Sequence, residues 1–247
     1  MRILVTNDDG IFSPGLQALA EVAARFGEVT IVAPDVEQSA MGHAITIWRP
    51  LTEKKARVGN FKAFRVNGTP ADCTALGLYR WGGADLVLSG INLGANLGHD
   101  LWHSGTVAAA RQAVFLGVPA AAFSLDIDGE EPDFEAQKPF VEQVLHLLLD
   151  GGALTTSEGG HPPLVNVNLP RHPTGIRWTH QSVRSYSGKV VDGEDPRGRK
   201  HFWFSAVPLS GPDEGSDRWA VDNNLVALSP LRLRLTDDEV LKKMGGR

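Results

Sequence analysis

Asp8 and Asp9 stand side by side at the end of an apolar run, Arg2-Ile3-Leu4-Val5-Thr6-Asn7-Asp8-Asp9-Gly10. Successive residues of a regular strand point to opposite faces. Two neighbouring carboxylates therefore converge only where the backbone has left the strand, and Gly10 permits that turn. Like charges brought together raise one carboxyl pKa unless a cation neutralises them. The pair reads as a site for a hard divalent cation, Mg²⁺ or Mn²⁺, with Asp8 and Asp9 as ligands and as candidate catalytic groups. Oxygen donors suit those ions, and the sequence has no Cys/His cluster with zinc spacing.

Three later segments carry groups that chemistry at such a cation would use. Pro34-Asp35-Val36-Glu37-Gln38-Ser39-Ala40-Met41-Gly42-His43 follows a second apolar run; Ser39 offers a hydroxyl ligand and His43 a proton carrier. Ser89-Gly90-Ile91-Asn92-Leu93-Gly94-Ala95-Asn96-Leu97-Gly98-His99-Asp100 is rich in glycine, which lets backbone N–H groups approach a ligand, and Asn92 and Asn96 add amide oxygens and donors. This segment lacks Walker spacing and a following lysine. A dinucleotide fingerprint is disfavoured too, because Asn7-Asp8-Asp9-Gly10 occupies the turn where one would sit. His103-Ser104-Gly105-Thr106-Val107 opens a helix, whose free N–H groups and positive dipole end, joined by two hydroxyls, make a phosphate cradle. His103 is suitably placed to act as an acid.

The elements that must position these groups alternate between strand and helix. Strands are expected at Ile3–Thr6, Val29–Ala33, Asp85–Ser89 and Pro119–Ser124, with edge or hairpin strands at Ala44–Trp48 and Phe61–Val66. Helices are expected after Ser13-Pro14-Gly15, after Thr69-Pro70, after Ser104, and over Phe134–Leu149, where Pro139 implies a kink or a nearby start. Such alternation implies an α/β fold with a mostly parallel sheet and helices on both faces, a Rossmann-like three-layer αβα architecture. Ligands of these sheets bind outside the carboxyl ends of the strands. Asp9, Ser39, Asn92 and Ser104 all follow a strand end and should converge at that rim. Beyond Leu164 the pattern changes. Leu164–Asn168 and Ile176–Thr179 read as short strands, and Tyr186–Val191 and His201–Ser205 flank a charged turn as a C-terminal β-hairpin arm. A terminal helix starts at a capping box, Thr236 with Glu239. Too short to stand alone, it must dock on something.

The bulk numbers fit. A chain of 247 residues, 42% hydrophobic, suits one large domain, and a net charge of −5 gives no footprint for a nucleic-acid polymer. The one cysteine, Cys73, allows no internal disulfide. Met1 runs straight into a strand, and no stretch approaches the roughly 18 apolar residues of a membrane span. The expectation is a cytoplasmic protein with no membrane partner. A receiver-like switch would need a lysine beyond a later strand, where Ser124-Leu125-Asp126 has none. A haloacid-dehalogenase-like phosphatase would need Asp-x-Asp after the first strand, and Asp8-Asp9-Gly10-Ile11 is not that.

With these residues laid out, the chain resembles the SurE family of stationary-phase survival 5'-nucleotidases. The resemblance rests on Asn7-Asp8-Asp9-Gly10, Gln38-Ser39, Gly68-Thr69-Pro70-Ala71-Asp72-Cys73, Ser89-Gly90-Ile91-Asn92 with Gly94 and Asn96, and Ser104-Gly105-Thr106-Val107-Ala108-Ala109. Asn166-Val167-Asn168, Asp195-Pro196-Arg197-Gly198 and Ser229-Pro230-Leu231 follow in the same order. It implies a phosphatase that uses one divalent metal ion per subunit on nucleoside 5'-monophosphates, with 3'-nucleotides and short polyphosphate as further substrates. It implies metal ligation by Asp8, Asp9, Ser39 and Asn92, and phosphate binding by Asn96, Ser104, Gly105 and Thr106. It implies a single domain over residues 1–247, with an α/β catalytic core at 1–170. Residues 171–247 would form a homodimer or homotetramer through the hairpin and terminal helix. The chain departs from the family where His103 replaces a common tyrosine, Ala40 a frequent glycine, and Arg234 a frequent acidic residue.

Overall fold

The computed structural model describes residues 1–127, 131–155, 160–183, 186–208 and 211–246. Its first strand, β1 (Arg2–Thr6), is flanked by β2 (Glu28–Pro34) and β5 (Leu86–Leu93), both parallel to it. The sheet grows outward from this centre. On one side lie β4 (Phe61–Val66) and β3 (Glu53–Val58); on the other lie β6 (Ala120–Leu125), β7 (Leu164–Leu169), β11 (Leu225–Leu231) and β8 (Gly175–Trp178). Only β3–β4 and β7–β11 pair antiparallel within these nine strands. Strand order turns back between β1 and β5, and such a switch opens a crevice at the carboxyl ends.

Alternation along the strands builds two cores. Ile3, Val5, Leu86, Leu88, Phe123 and Val165 face α1 (Pro14–Ala23) and α4 (Phe134–Asp150). Leu4, Val87, Ala120, Ala122 and Leu164 face α2 (Pro70–Arg80) and α3 (Gly105–Phe115). The three-layer αβα architecture expected from the sequence is present. Thr69 caps α2 in a full capping box, its hydroxyl accepting from Asp72 N at 3.1 Å while Asp72 Oδ2 accepts from Thr69 N at 2.9 Å. Helix α4 runs unbroken through Pro139 after starting at Phe134. On the opposite face of the sheet from α3, α1 comes very close: a Cβ on Gly15 would lie 2.0 Å from the Ile91 carbonyl oxygen.

Two local expectations are corrected. Ala44–Trp48 is not a strand; the hairpin partner of β4 is β3. The backbone of that stretch is engaged at the start of α2, with Thr46 N donating to Asp72 Oδ1 at 3.0 Å and Ala44 O accepting from Thr69 Oγ1 at 2.7 Å. The terminal helix α6 (Asp238–Lys243), which follows the short α5 (Asp217–Asp222), is capped by Asp237 rather than Thr236. Asp237 accepts from Glu239 N and Val240 N at 3.0 and 2.9 Å, because its carboxylate reaches both amides from one residue closer.

Beyond residue 170 the chain adds β8 and β11 to the main sheet. It also raises a separate two-stranded antiparallel ribbon of β9 (Tyr186–Glu194) and β10 (Lys200–Pro208). Phe202, Trp203 and Phe204 are exposed on that ribbon, and α6 buries none of its residues. Among the described residues no helix is long and apolar enough to cross a membrane.

Candidate metal and phosphate site

β1 ends at Thr6, and the chain then turns. Asn7 Nδ2 donates to Gly10 O at 3.0 Å, and Gly10 takes a φ of 98°, so the two carboxylates leave strand geometry as the sequence requires. The turn is gripped from the β2 side, where Ile11 N donates to Pro34 O at 2.9 Å and Gln38 N to Asp8 O at 2.8 Å. That grip brings the Ser39 loop beside the pair. Ser39 is exposed and donates its hydroxyl to Glu37 Oε1 at 2.8 Å, which leaves the oxygen lone pairs free. Glu37 was not singled out from the sequence. Its negative charge acts on both Asp8 and Asp9, and its only sequence signal is its position two residues before Ser39.

A bulge aims Asn92. Ser89 pairs with Ala122 and Asn92 with Ser124, so β5 spends one more residue than β6 between these pairs. Plain alternation would put Ser89 and Asn92 on opposite faces. The extra residue restores Asn92 to the α3 side and sends Ile91 into the core beneath α1. Gly90, at a φ of 130° and with the Phe123 carbonyl oxygen 2.2 Å from where a Cβ would be, is the residue that makes the bulge feasible. Asn92 Nδ2 donates to Gly94 O at 2.7 Å, which leaves its Oδ1 as the donor atom for a cation.

Helix α3 begins directly on Asp8. Thr106 Oγ1 donates to Asp8 Oδ1 at 2.5 Å. Gly105 packs so tightly that a Cβ there would lie 2.7 Å from Asp8 Cβ. Ser104 caps the helix, its Oγ accepting from Val107 N at 3.1 Å, and its own hydroxyl hydrogen stays available. The first-turn amides of Gly105 and Thr106 have no intrahelical partner. The sequence reading puts Thr106 toward phosphate; in the structure its hydroxyl proton is committed to Asp8, and its backbone N–H is directed at the same carboxylate.

Burial pushes the Asp8 carboxyl up, against the downward pull of the Thr106 bond. Burial first, and the Asp8 charge second, push Asp9 up to about 7, opposed by the bond from Leu93 N at 3.3 Å. No cationic group is among those acting on either carboxylate. Among the described residues, buried Asn7 Oδ1, Thr6 Oγ1 and Ser89 Oγ find no hydrogen-bond partner. Among the described residues no three His, Cys, Asp or Glu side chains gather as a metal cluster. The donor set on offer is two carboxylates, a hydroxyl and an amide oxygen, which fits a hard cation that keeps water ligands and does not fit zinc.

The electrostatics give a signed prediction. An unfolded Asp9 releases its proton near 3.8, whereas the folded group holds it to about 7. The metal-free fold therefore loses stability as pH rises across that window. Asp9→Asn keeps an acceptor for Leu93 N and removes the charge. Without metal at pH 8 it should melt several degrees above the wild type, and at pH 4 the two should coincide, to within the ~2–4 °C that 1 kcal/mol is worth at this size. Added Mn²⁺ should raise the wild-type melting temperature at pH 8 and leave the variant unmoved. An equal response of both proteins to Mn²⁺ would show that Asp9 holds no cation.

Of the remaining candidates, His43 packs apart from the carboxylate pair. His43 Nε2 pairs with Gln112 Oε1 at 2.8 Å, and its ring stacks on Phe115 at 5.3 Å. Gln112 is six residues beyond Thr106, about 9 Å along the helix axis. Burial pushes the His43 pKa down. It lines a cavity of about 350 Å³ with Trp102, Arg111 and Phe115, and neither carboxylate lines that cavity. His103 is exposed beside Ser104. Asn96 is buried, and its Nδ2 donates to Ser124 Oγ at 2.8 Å.

Comparison with known proteins supplies the family. Residues 3–188 match the family described as survival protein SurE. A protein of Thermus thermophilus named 5'-nucleotidase SurE 1 is 46% identical over 252 aligned residues, covering 100% of this chain and 97% of the relative. A 5'-nucleotidase SurE of Deinococcus radiodurans is 44% identical, covering 98% of this chain and 91% of the relative. The crystal structure of a SurE protein from Aquifex aeolicus superposes with a TM-score of 0.81 at 38% identity, covering 99% of this chain and 98% of that one.

Proposed function

The chain belongs to the SurE family, and from that membership we propose that it hydrolyses nucleoside 5'-monophosphates to nucleoside and phosphate with one divalent cation, Mg²⁺ or Mn²⁺, per subunit. It is a nucleotide phosphatase. The observation that carries the metal-assisted reading is the abutment of the α3 amino terminus on the buried Asp8 and half-buried Asp9, on which no cationic side chain acts among the described residues, Thr106 Oγ1 lying 2.5 Å from Asp8 Oδ1.

We assign Asp8, Asp9, Ser39 and Asn92 to hold the cation. When bound, it would neutralise phosphoryl oxygens and acidify a water molecule. The N–H group of Gly105, the Ser104 hydroxyl and the second amide hydrogen of Asn96 bind the phosphate, with Thr106 holding Asp8 beside it. Charge that develops on the equatorial oxygens meets the positive end of α3. Asp9, the less enclosed carboxylate, takes the proton of the attacking water as the water oxygen bonds to phosphorus. The ester oxygen leaves with the bonding pair and receives a proton from His103. The cradle grips a terminal phosphoryl group, so 3'-nucleotides and short polyphosphate belong to the proposed range. Arm and α6, with their exposed apolar faces, are assigned to a second copy of the chain as a homodimer or homotetramer.

The test is phosphate release from AMP. Turnover should require Mn²⁺ or Mg²⁺, stop with EDTA and return when metal is restored in excess. A protein that releases no phosphate from any nucleoside 5'-monophosphate with either ion is not this enzyme.

A further inference from the structure

Between β5 and α3 the chain crosses residues 94–97 without regular structure and then forms a short 3-10 turn, Gly98–Trp102. A buried loop must satisfy its backbone groups somewhere. Here side chains from far along the sequence do so. Asn96 N donates to Asn168 Oδ1 at 2.8 Å, and Asn96 O accepts from Asn168 Nδ2 at 3.0 Å and from Asn166 Nδ2 at 2.9 Å. Two residues on, Gly98 N donates to Asp217 Oδ2 at 2.9 Å and Gly98 O accepts from Gln181 Nε2 at 2.6 Å. Leu97 between them is extended, at φ −115° and ψ 144°, and Gly98 turns to a positive φ of 55° as the 3-10 turn begins, so both peptides are met by side chains where a neighbouring strand would otherwise stand. Four side chains imitate that missing strand.

The imitation is buried and firmly rooted. Asn166, Asn168 and Asp217 are each fully buried. Asn166 and Asn168 lie one alternation apart on β7, level with Ala122 and Ser124 of β6. The second oxygen of Asp217 accepts from Ser182 N at 2.9 Å and Arg218 N at 2.8 Å. Between the two gripped peptides, Leu97 plugs an apolar cluster with Ala220, Val221 and Ala227. Downstream, Ser104 N donates to Asp100 O at 3.1 Å, so the gripped segment runs directly into the start of α3. Upstream, Asn92 has its own bond to Gly94 O and pairs with Ser124, whose Oγ also accepts from Asn96 Nδ2 at 2.8 Å.

We propose that Asn168 and Gln181, supported by Asn166 and Asp217, are positioning residues that preset the approach to the Ser104 turn and thereby raise its affinity for a phosphoryl group, leaving the cation ligands untouched. The proposal rests on the reading of that turn as the phosphate site. Preset donors stabilise charge without reorganising when it arrives, which is where a fixed loop contributes.

Asn168→Asp and Gln181→Glu test it. Each is isosteric and turns a carboxylate oxygen toward a backbone carbonyl. Gln181 is only half-buried, so its variant keeps the fold even where Asn168→Asp does not. Inorganic phosphate is titrated by calorimetry into the full chain at saturating Mn²⁺, and Mn²⁺ alone is titrated by electron paramagnetic resonance. Phosphate affinity should fall about tenfold in each variant, equivalent to 1.4 kcal/mol. Mn²⁺ affinity should stay within about a factor of two. Wild-type phosphate affinity in a folded Gln181→Glu protein overturns the assignment. So does a parallel loss of Mn²⁺ and phosphate affinity, which a merely loosened fold would give. A wild-type protein that binds Mn²⁺ but no phosphate overturns the reading of the Ser104 turn itself, and this assignment with it.

Discussion

Asp8→Asn should lower metal-dependent phosphate release by about 10³-fold, the scale on which a preorganised electrostatic group contributes to a charged transition state. The substitution isolates charge from shape. An asparagine Oδ1 can still accept the Thr106 hydroxyl that sits 2.5 Å from the native carboxylate. Its side chain fills the same space beside Gly105, so the first turn of α3 has no reason to move. The buried negative charge disappears, and burial was already working against it. The metal-free variant should therefore fold at least as stably as the wild type while Mn²⁺ binding fails. Phosphate release and Mn²⁺ titration on the same preparation check this. Full turnover in the variant would show that Asp8 neither holds a cation nor acts on the substrate.

Gly105→Ala should be nearly as damaging to turnover and, unlike Asp8→Asn, should cost stability as well. A methyl group there would lie 2.7 Å from Asp8 Cβ and 2.8 Å from Asp8 Oδ2. Either α3 backs away from β1 or Asp8 rotates off Thr106. Overpacking of this kind costs about 1–3 kcal/mol, or about 2–4 °C of melting temperature for each kcal/mol. A misplacement of about 1 Å costs about 10²-fold in rate. The sign is diagnostic, because alanine in an unhindered helix stabilises by up to about 1 kcal/mol over glycine. A more stable and equally active Gly105→Ala protein would show that α3 does not rest on Asp8.

The strands and helices of the core were legible because their apolar periods are clean. Ile3–Thr6 and the Leu16, Leu19, Ala23 face declare themselves locally. Ala44–Trp48 misled because it alternates like a strand, and its true partners are polar groups at Thr69 and Asp72, reached through the fold. The carboxylate pair was legible from the geometry of a strand alone, since adjacent side chains meet only beyond its end. The aim of Asn92 was not, because the bulge at Gly90-Ile91 reverses the face that alternation assigns. His43 lies in an apparently suitable loop, and only the packed ring of Phe115 reveals which way it turns. The loop grip escaped notice because its members sit 70 or more residues from the peptides they bind. One signal was present: Asn166 and Asn168 occupy alternate positions of a buried strand, where asparagine is unfavoured unless something pairs with it.

Gly15 and Gly105 approach the sheet from opposite faces, each where a single methyl would strike another segment. The width of the site is thus gauged by bare backbone. Exchanges among leucine, valine and isoleucine deep in either core leave that gauge unread, so drift there costs packing before it costs spacing. At the two glycines no drift is open: every substitution adds atoms, and the added atoms arrive where the chemistry is spaced.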